Sequence, residues 1–341
     1  MDVREVFSDD ELRDEFLDRF DELSAKAVAR ALGDLESLDS LDSLPPLDPP
    51  STDAARSAVT DMREGTYSGS DPALEAIVER FTRPVYLVQD SRYHRPQDFE
   101  DSEQIADRLE TARPAVEPTI PSVGRIDLRN GLKPWAGTGW VVAPGIVATN
   151  RHVAEEFAQG AAAGGFAFKR HYPAPPVAAT LDWFHEFDGI VESRFPVREV
   201  LWIEPADSVD VALLRIDRGE NAEEQPPPLT LLDESDIRVG MWVSVIGYPG
   251  RSPWNSQADQ QRIFDGIYDV KRLAPGKVTA MNSAQGLLDH DATTLGGNSG
   301  SAVVDLESGN VAAIHFGGVE GQSNHAVQAP RLAEIVRVRA G

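Results

Sequence analysis

Three short segments of the chain each place one chemically active side chain beside a strand-like apolar run. His152 lies in a Thr-Asn-Arg-His-Val segment, Asp210 opens an Asp-Val-Ala-Leu-Leu segment, and Ser299 lies in a Gly-Asn-Ser-Gly-Ser turn. A serine hydroxyl is a weak nucleophile at neutral pH, so it needs a base within hydrogen-bond reach and a third group that orients the base. We therefore predict that Ser299 attacks a carbonyl carbon, His152 takes its proton and Asp210 orients His152.

The turn that carries Ser299 is rich in glycine. Gly296 and Gly297 can adopt backbone conformations that other residues avoid, so they can aim amide N–H groups inward. We predict that the N–H groups of Gly297 and Ser299 form an oxyanion hole, in which each donor stabilises the transition state by about 2.7–4 kcal/mol.

Each segment also has a plain structural interpretation. A Gly-Asn-Ser-Gly sequence is commonly only a turn, an Asp before an apolar run is commonly a solvated strand end, and a single His is commonly structural. The three occur together in one chain, which favours the catalytic interpretation. Asp207 and Asp217 are weaker choices than Asp210, because Asp207 lies outside the segment and Asp217 follows the apolar run.

An α/β-hydrolase is the main rival for a serine in a glycine-rich turn. Its nucleophile turn reads Gly-x-Ser-x-Gly and its catalytic order is Ser, Asp, His. Here Ser301 occupies the last position of the turn and the order is His, Asp, Ser. The pattern excludes this class.

The elements that must position these residues are short strands. From residue 121 onward, runs rich in Val and Ile alternate with Gly, Pro, Asn and Asp, and Ala143-Pro144-Gly145 marks a hairpin. This texture predicts a mainly β fold of the barrel or sandwich type. Further strands are predicted at 211–216, 242–246, 302–304 and 311–314, and a helix at 331–339.

The first 120 residues have a different composition and a different pattern of apolar residues. We divide the chain into an amphipathic helix (1–34), an acidic linker rich in Ser, Leu and Pro (35–70), a helical extension that packs on the rest (71–120) and the β-rich domain (121–341). The apolar face of the first helix is predicted to pack on the main domain rather than on another protein.

The extension should contain three elements. A helix is predicted from Asp71, a strand over 84–89, and a further helix that ends at Pro114.

Composition narrows the function classes. The 341 residues include 56 Asp and Glu but 32 Lys and Arg, which gives a net charge of −24. This balance argues against nucleic acid and anionic membranes as partners. There is no cysteine, and the seven histidines show no ligand spacing, so we predict neither metal nor cofactor. Without a signal or membrane-spanning run, the predicted location is the cytoplasm. The sequence gives no indication of oligomeric state.

With these observations in place, the chain resembles the trypsin-like, chymotrypsin-fold serine proteases over residues 121–341. The segments around His152, Asp210 and Ser299 match the three signature blocks of that family in order. The resemblance implies two six-stranded antiparallel β-barrels with the triad in the cleft between them. It also implies a serine endopeptidase that acts on protein substrates through an acyl-enzyme intermediate.

The residue before the proposed nucleophile points to a branch of the family. Asn298 stands where digestive proteases carry an Asp that binds a newly cut N-terminus, so that activation switch is not expected here. The Gly-Asn-Ser-Gly-Ser turn resembles the bacterial glutamyl endopeptidases more than the HtrA-like proteases, which usually carry a C-terminal PDZ domain. An HtrA-like quality-control protease without PDZ stays an alternative.

The resemblance to glutamyl endopeptidases implies a substrate pocket. Thr294 and His315 would line it and hydrogen-bond the carboxylate of a Glu before the cut, and we assign Phe316 and Gly317 to the same substrate-binding group. The alternative that His315 is only a buried strand histidine stays open. His290 and Asp291, close to Thr293, are further candidates to shape the pocket.

A second function class is a catalytically silent protein that keeps the protease fold as a scaffold. The presence of all three triad residues argues against it. The overall layout is similar to trypsin-like peptidases found beside effector domains in bacterial conflict systems, which implies a companion effector protein as substrate. The N-terminal region would then regulate the protease or dock that substrate.

Overall fold

The computed structural model describes residues 102–340 except 163, 192, 218–223, 252–259, 261–262 and 320–322. Before residue 102 it describes 12–21, 23–24, 51–64, 66, 81 and 84–95. The predicted helix from Asp71 lies almost wholly outside the described residues.

Short strands dominate the described chain from residue 123 onward. The helices are α1 (helical at 12–21 and 23–24), α2 (Thr52–Glu64), α3 (Glu103–Val116), α4 (Arg151–Phe157) and α5 (Ala329–Arg339), with 3-10 turns at Glu117–Ser122 and Glu234–Asp236. The strands are β1 (Tyr86–Gln89), β2 (Arg92–His94), β3 (Val123–Arg129), β4 (Trp135–Ala143), β5 (Ile146–Thr149), β6 (Ala158–Gly160), β7 (Phe166–Phe168), β8 (Ala178–Asp182), β9 (Phe195–Ile203), β10 (Ala212–Ile216), β11 (Trp242–Gly247), β12 (Arg272–Asn282), β13 (Leu287–His290), β14 (Ala302–Asp305), β15 (Val311–Val319) and β16 (Ser323–Gln328).

The strands close into two antiparallel barrels of six strands each. Barrel 1 has the order β10-β5-β4-β3-β8-β9. Barrel 2 has the order β11-β14-β15-β16-β13-β12, and the pairing of β12 with β11 closes it. The predicted mainly β fold of two six-stranded barrels is confirmed. The predicted strands at 211–216, 242–246, 302–304 and 311–314 all form, within one residue at their starts.

The long apolar runs arise because strands at the junction of the barrels are buried on both faces. In β5, Val147 points into the core of barrel 1, whereas Ile146 and Ala148 join a second cluster that contains Ile246 of β11 and Leu273 of β12. A strand covered on both sides is apolar at consecutive positions instead of alternating. The same strand therefore contributes to the barrel core and to the contact between barrels.

Two predictions within the N-terminal 120 residues are wrong. Residues 52–64 of the predicted linker form helix α2, because Ala55, Val59 and Met62 recur at helical spacing and pack on the apolar face of α1. Helix α3 continues past Pro114 to Val116, since the proline ring is compatible with helical φ and the helix loses only one hydrogen bond. No helix among the described residues is long and apolar enough to cross a membrane.

The extension is not only helical, because β1 and β2 form a hairpin that lengthens the sheet of barrel 2. Strand β1 pairs with β12, with Tyr86 opposite Leu273. Val88 and Tyr93 of the hairpin join the apolar cluster between the barrels, together with Ile105 and other residues of α3. The predicted strand at 84–89 is thus confirmed, as β1 in the sheet of barrel 2.

The described apolar face of α1 is buried within the N-terminal region. Phe16 and Phe20 pack against α2 and Phe81, in a cluster separate from the barrel cores. Glu15 links this unit to α3: its carboxylate accepts hydrogen bonds from Ser102 Oγ at 2.6 Å and from Glu103 N at 2.8 Å.

Candidate active site

His152 and Asp210 lie at the same edge of barrel 1 because their strands are neighbours. Strand β5 ends at Thr149, which pairs with Ala212 at the start of β10. His152 follows β5 in the first turn of α4, and Asp210 precedes β10. The ring Nδ1 of His152 lies 2.6 Å from Asp210 Oδ2, and the backbone N–H of His152 donates to Asp210 Oδ1 at 3.1 Å.

The environment keeps Asp210 ionised. Partial burial raises the pKa of its carboxyl. The hydrogen bonds from His152 and the nearby charges of His152 and Arg151 lower the pKa by more than burial raises it, so it lies below the usual value. Asn150, which precedes α4, donates from Nδ2 to the Asp210 carbonyl at 2.8 Å and holds the backbone of the acid in place. A fixed, charged carboxylate beside Nδ1 directs the lone pair of Nε2 outward.

Ser299 belongs to barrel 2, but strand β4 of barrel 1 holds its backbone. The Thr138 N–H donates to the Ser299 carbonyl at 2.9 Å. At Gly137 an added Cβ would lie 2.9 Å from that carbonyl oxygen and 2.8 Å from Cγ2 of Val153, the residue after His152. Only a residue without a side chain fits between them. The junction of the barrels thus brings Ser299 beside the start of α4.

Hydrogen bonds to their carbonyls fix the directions of the Gly296–Gly297 and Asn298–Ser299 peptide groups. The Gly296 carbonyl accepts from Gly250 N at 2.7 Å, and the Asn298 carbonyl accepts from Ser301 N at 2.8 Å. In a trans peptide the C=O and the following N–H point in opposite directions, so the N–H groups of Gly297 and Ser299 face away from those partners.

These two N–H groups are also left without backbone acceptors. Within residues 295–301, all of which the structure describes, the N–H groups of Asn298, Gly300 and Ser301 donate to backbone carbonyls, whereas those of Leu295, Gly296, Gly297 and Ser299 do not. Gly297 has φ +93°, a conformation that a side chain would strain. The N–H groups of Gly297 and Ser299 therefore have no backbone acceptor, and their role as oxyanion donors stays a prediction.

His315 lies next to this loop in β15. Its backbone carbonyl accepts from Gly300 N at 2.8 Å and its N–H donates to the Ser301 carbonyl at 2.9 Å. The side chain is buried, and its Nδ1 lies 3.1 Å from Nε2 of the equally buried His290. Burial lowers the pKa of His290 to about 4. Burial, and then the charges of His290, His152 and His325, lower the pKa of His315 well below its usual value. Both rings are neutral at pH 7.

Thr294 has a partner that the sequence analysis missed. Its hydroxyl donates to Asn324 Oδ1 at 2.6 Å, and Asn324 Nδ2 donates to the Ala292 carbonyl at 2.8 Å. No local motif marks Asn324, which comes close only because β13 and β16 pair. Thr294 is thus positioned by β16, and its hydroxyl proton is already donated to Asn324 Oδ1.

The other two predicted substrate-binding residues lie at an irregularity of β15. The pairing with β16 shifts between His315 and Gly317, so Phe316 leaves the regular ladder. The Phe316 ring stacks on His325 with a centroid distance of 6.0 Å and lines a cavity of about 750 Å³ that also contacts Asp210. A Cβ at Gly317 would meet no atom within 4 Å, so the strand surface is open there.

The comparisons with known proteins agree with this geometry. The family model described as "Trypsin-like peptidase domain" matches residues 137–314. A protein of Lysobacter enzymogenes named as a "probable serine protease" is 30% identical over 287 residues, which cover 75% of this chain and 72% of that protein. A glutamyl endopeptidase of Staphylococcus epidermidis is 27% identical over 56% of this chain, which spans 57% of the length of that relative.

Among solved structures, a serine endoprotease from Yersinia pestis aligns with a TM-score of 0.44 and 18% identity, over 67% of this chain and 65% of that chain. The family match covers more than half of the chain and includes the segments of His152, Asp210 and Ser299. The chain belongs to the trypsin-like peptidase family and is a serine endopeptidase.

Proposed function

We propose that the protein cleaves peptide bonds after Glu through a His152-Asp210-Ser299 triad. The observation that carries the proposal is the paired contact between His152 and Asp210 beside the backbone of Ser299. Ser299 Oγ attacks the carbonyl carbon while His152 Nε2 takes the hydroxyl proton. The negative charge that develops on the carbonyl oxygen is stabilised by the N–H groups of Gly297 and Ser299.

The second half of the reaction reverses these roles. His152 gives its proton to the leaving amine, and the acyl group remains on Ser299 Oγ. A water molecule then loses a proton to His152 and attacks the acyl carbon, which releases the acid product and restores the hydroxyl. Asp210 stays ionised throughout and stabilises the imidazolium that forms on His152.

The preference for Glu is supported by the tautomer of the two buried histidines. His290 Nδ1 is buried without a hydrogen-bond partner among the described residues. A buried N–H without an acceptor is costlier than a buried lone pair without a donor, so the proton of His290 belongs on Nε2. His290 then donates to His315 Nδ1, which leaves the proton of His315 on Nε2. In the proposed pocket, His315 would therefore offer Nε2 as a donor rather than as an acceptor.

A donor at this position suits a carboxylate better than an amide. Hydrogen bonds to an ionised acceptor are roughly twice as strong as bonds between neutral groups. A Gln side chain at the same place keeps one oxygen but lacks the charge, and Leu lacks both. Thr294, oriented by Asn324, would add a second donor only after its hydroxyl rotates away from Asn324. We therefore assign His315 the larger part of the selectivity.

The experiment that tests the reaction compares wild type with Ser299→Ala. Loss of the nucleophile should lower kcat by on the order of 10⁶. Ser308→Ala is a matched control, because Ser308 lies in the turn after β14 and bonds only to Asp305 and Asn310. A fluorophosphonate probe should label wild type and Ser308→Ala but not Ser299→Ala. Labelling of none of them would support the silent scaffold.

The selectivity is tested with three peptides that differ only in Glu, Gln or Leu before the cut. We expect the Glu peptide to have the highest kcat/KM and His315→Ala to remove most of its advantage. Equal rates for the three peptides would overturn the specificity and leave the triad assignment intact.

The natural substrate is proposed to be a companion effector protein of the same cytoplasm. The unit of α1 and α2, which Glu15 fastens to α3, supports this because it offers a surface beyond the cleft. Proteome-wide profiling of cleavage with wild type and Ser299→Ala distinguishes one preferred protein from general degradation.

A further inference from the structure

The loop that carries the proposed oxyanion donors must be held in one conformation. Asn298 lacks the negative charge that would pair with a new N-terminus, and its buried side chain instead faces Ser301 Oγ at 3.4 Å. A different group must therefore fix the peptide between Gly296 and Gly297. If that peptide turned over, its carbonyl instead of its N–H would face the substrate oxygen.

Trp135 of β4 lies directly against this peptide. An added Cβ at Gly297 would lie 2.2 Å from Cη2 of Trp135, and one at Gly250 would lie 2.9 Å from its Cζ2. The six-membered ring therefore contacts the backbone of both glycines. Gly250 N donates to the Gly296 carbonyl at 2.7 Å, and this bond sets the direction of the peptide whose N–H belongs to Gly297.

The ring is itself supported from barrel 1. The guanidinium of Arg125 in β3 lies 5.8 Å from the centroid of the Trp135 ring. Arg125 is fixed by Asp127 Oδ1 at 2.6 Å and by the Asp269 carbonyl at 3.0 Å. Asp269 N donates to the Pro249 carbonyl at 2.8 Å, next to Gly250. Arginine, tryptophan and both glycine backbones thus form one packed stack.

We propose that Trp135 is a positioning residue that holds the Gly296-Gly297 peptide with its N–H toward the substrate oxygen. The inference rests on the proposed function, since it presumes that Gly297 N–H is an oxyanion donor. Trp135 acts through the backbone and touches no reacting atom. The packed ring replaces the ion pair that a charged residue at position 298 would form. The loop therefore keeps the N–H of Gly297 toward the substrate oxygen without an ion pair at Asn298.

The test compares Trp135→Ala, Trp135→Phe and the matched control Trp242→Ala. Trp242 is also half-buried with an Arg over its face, Arg108 at 4.8 Å. Trp242 lies at the start of β11, and Gly247, which contacts Asn298 and Ser301 of the Ser299 loop, lies at its end. This five-residue spacing separates Trp242 from that loop by about 17 Å along the strand. Each variant is assayed with a Glu-containing peptide amide, with a peptide aldehyde that ends in the same residue, and with the corresponding peptide acid. The aldehyde forms a tetrahedral hemiacetal oxyanion on Ser299, whereas the acid is a product that forms no covalent bond and no tetrahedral oxyanion.

We expect Trp135→Ala to lower kcat by about 10- to 1000-fold, up to the full loss of one oxyanion donor. The aldehyde should weaken in proportion, while binding of the peptide acid and the pH profile of kcat stay within about two-fold of wild type. Trp135→Phe should recover most of the activity because it keeps a ring over the glycines. Trp242→Ala should leave all three measurements unchanged.

Three results would overturn the inference: an unchanged kcat in Trp135→Ala, equal weakening of aldehyde and acid, or the same losses in Trp242→Ala. If Trp135→Ala does not fold, Trp135→Phe carries the test, and a kcat loss without a parallel aldehyde loss counts against the proposal. A wild-type protein that neither cleaves the amide nor binds the aldehyde would instead refute the proposed function itself.

Discussion

Asp210 accepts two hydrogen bonds from one residue, from the ring Nδ1 of His152 at 2.6 Å and from its backbone N–H at 3.1 Å. The two contacts fix the ring relative to its own backbone, so they set both the tautomer and the direction of Nε2. In Asp210→Asn the amide would present a donor to Nδ1 and favour the wrong tautomer. We expect kcat to fall by about 10⁴.

The matched control for this change is Asp207→Asn, three residues earlier and exposed. It should keep near wild-type kcat, and both variants should keep the circular dichroism spectrum of the wild type. Equal losses in the two variants would mean that Asp210 has no special role in orienting His152.

The buried histidine pair should make stability depend on pH below neutrality. The pKa of His290 is about 4 in the folded state and about 6.5 when unfolded. Between these values the unfolded chain binds more protons, so the free energy of unfolding decreases as pH falls from 6.5 to 4. His290 contributes up to about 3 kcal/mol to this loss.

The variant His290→Gln keeps a side-chain N–H for His315 and removes the titration. Urea unfolding at pH 7 and pH 4.5 should show a smaller acid-induced loss in His290→Gln than in wild type. The exposed His94→Gln is the control and should match wild type. A pH dependence that is identical in all three proteins contradicts the prediction.

Thr138 is predicted to hold the same loop through its hydroxyl. Thr138 Oγ1 donates to the Gly297 carbonyl at 2.9 Å and is fully buried. Thr138→Val keeps the shape but leaves that carbonyl without a donor, which should cost about 1–3 kcal/mol of stability and also lower kcat. In Thr119→Val, which loses a buried hydroxyl bond to Val116 O at 2.7 Å in the 3-10 turn, stability should fall and kcat should not.

The buried Lys271 is predicted to be essential for stability. Its Nζ is fully buried and donates to Ile120 O, Trp183 O and Glu186 Oε1 at 3.1, 2.6 and 3.1 Å. Lys271→Met leaves the Glu186 carboxylate buried without its cation, so we expect a loss of about 3–5 kcal/mol in chemical denaturation.

Two further variants separate charge from packing at this pair. Lys271→Met with Glu186→Gln should recover part of the loss because the uncompensated charge is gone. Lys133→Met, which breaks the exposed pair with Glu156 at 2.7 Å, should change stability by less than about 1 kcal/mol. If Lys271→Met is as mild as Lys133→Met, the buried pair has no structural importance.

Truncation should divide the N-terminal region into two parts. Deleting residues 1–70 removes all of the separate apolar cluster except Phe81, plus the Glu15 contacts at the start of α3. The N-cap Ser102 stays, and a carboxylate near a helix N-terminus contributes about 0.3–1 kcal/mol, so the melting temperature should fall by no more than about 4 °C. Deleting residues 1–101 also removes β1 and β2, whose Val88 and Tyr93 belong to the cluster between the barrels, and should abolish folding.

The regulatory role of residues 1–70 is tested on two substrates. The shorter deletion should alter cleavage of a protein substrate more than cleavage of a short peptide. Equal effects on both, or a collapse of stability, would show that the segment is structural.

The sequence by itself determined the local features of this protein. Runs of apolar residues predict β5, β10, β11 and β14, because a strand that is buried on both faces has apolar residues at consecutive positions. The three segments that carry the proposed triad residues His152, Asp210 and Ser299 could also be recognised, because each of these residues lies in a short characteristic sequence. Helix α2 was missed because its neighbours in the chain are rich in Ser, Asp and Pro, and its three apolar residues acquire a role only against α1.

Tertiary structure alone decided which distant residues meet. Asn324 reaches Thr294 through the pairing of β13 with β16, and Trp135 reaches Gly297 because barrel 1 packs against barrel 2. Neither Asn324 nor Trp135 lies in a recognisable sequence motif, so the residues next to them in the sequence do not predict these contacts. A contact between strands depends on pairing register and on how two closed sheets fit together, and these are properties of the whole packed core. The proposed reactive groups therefore lie in segments that the sequence alone identifies, whereas the residues proposed to orient them come together only when both barrels have formed.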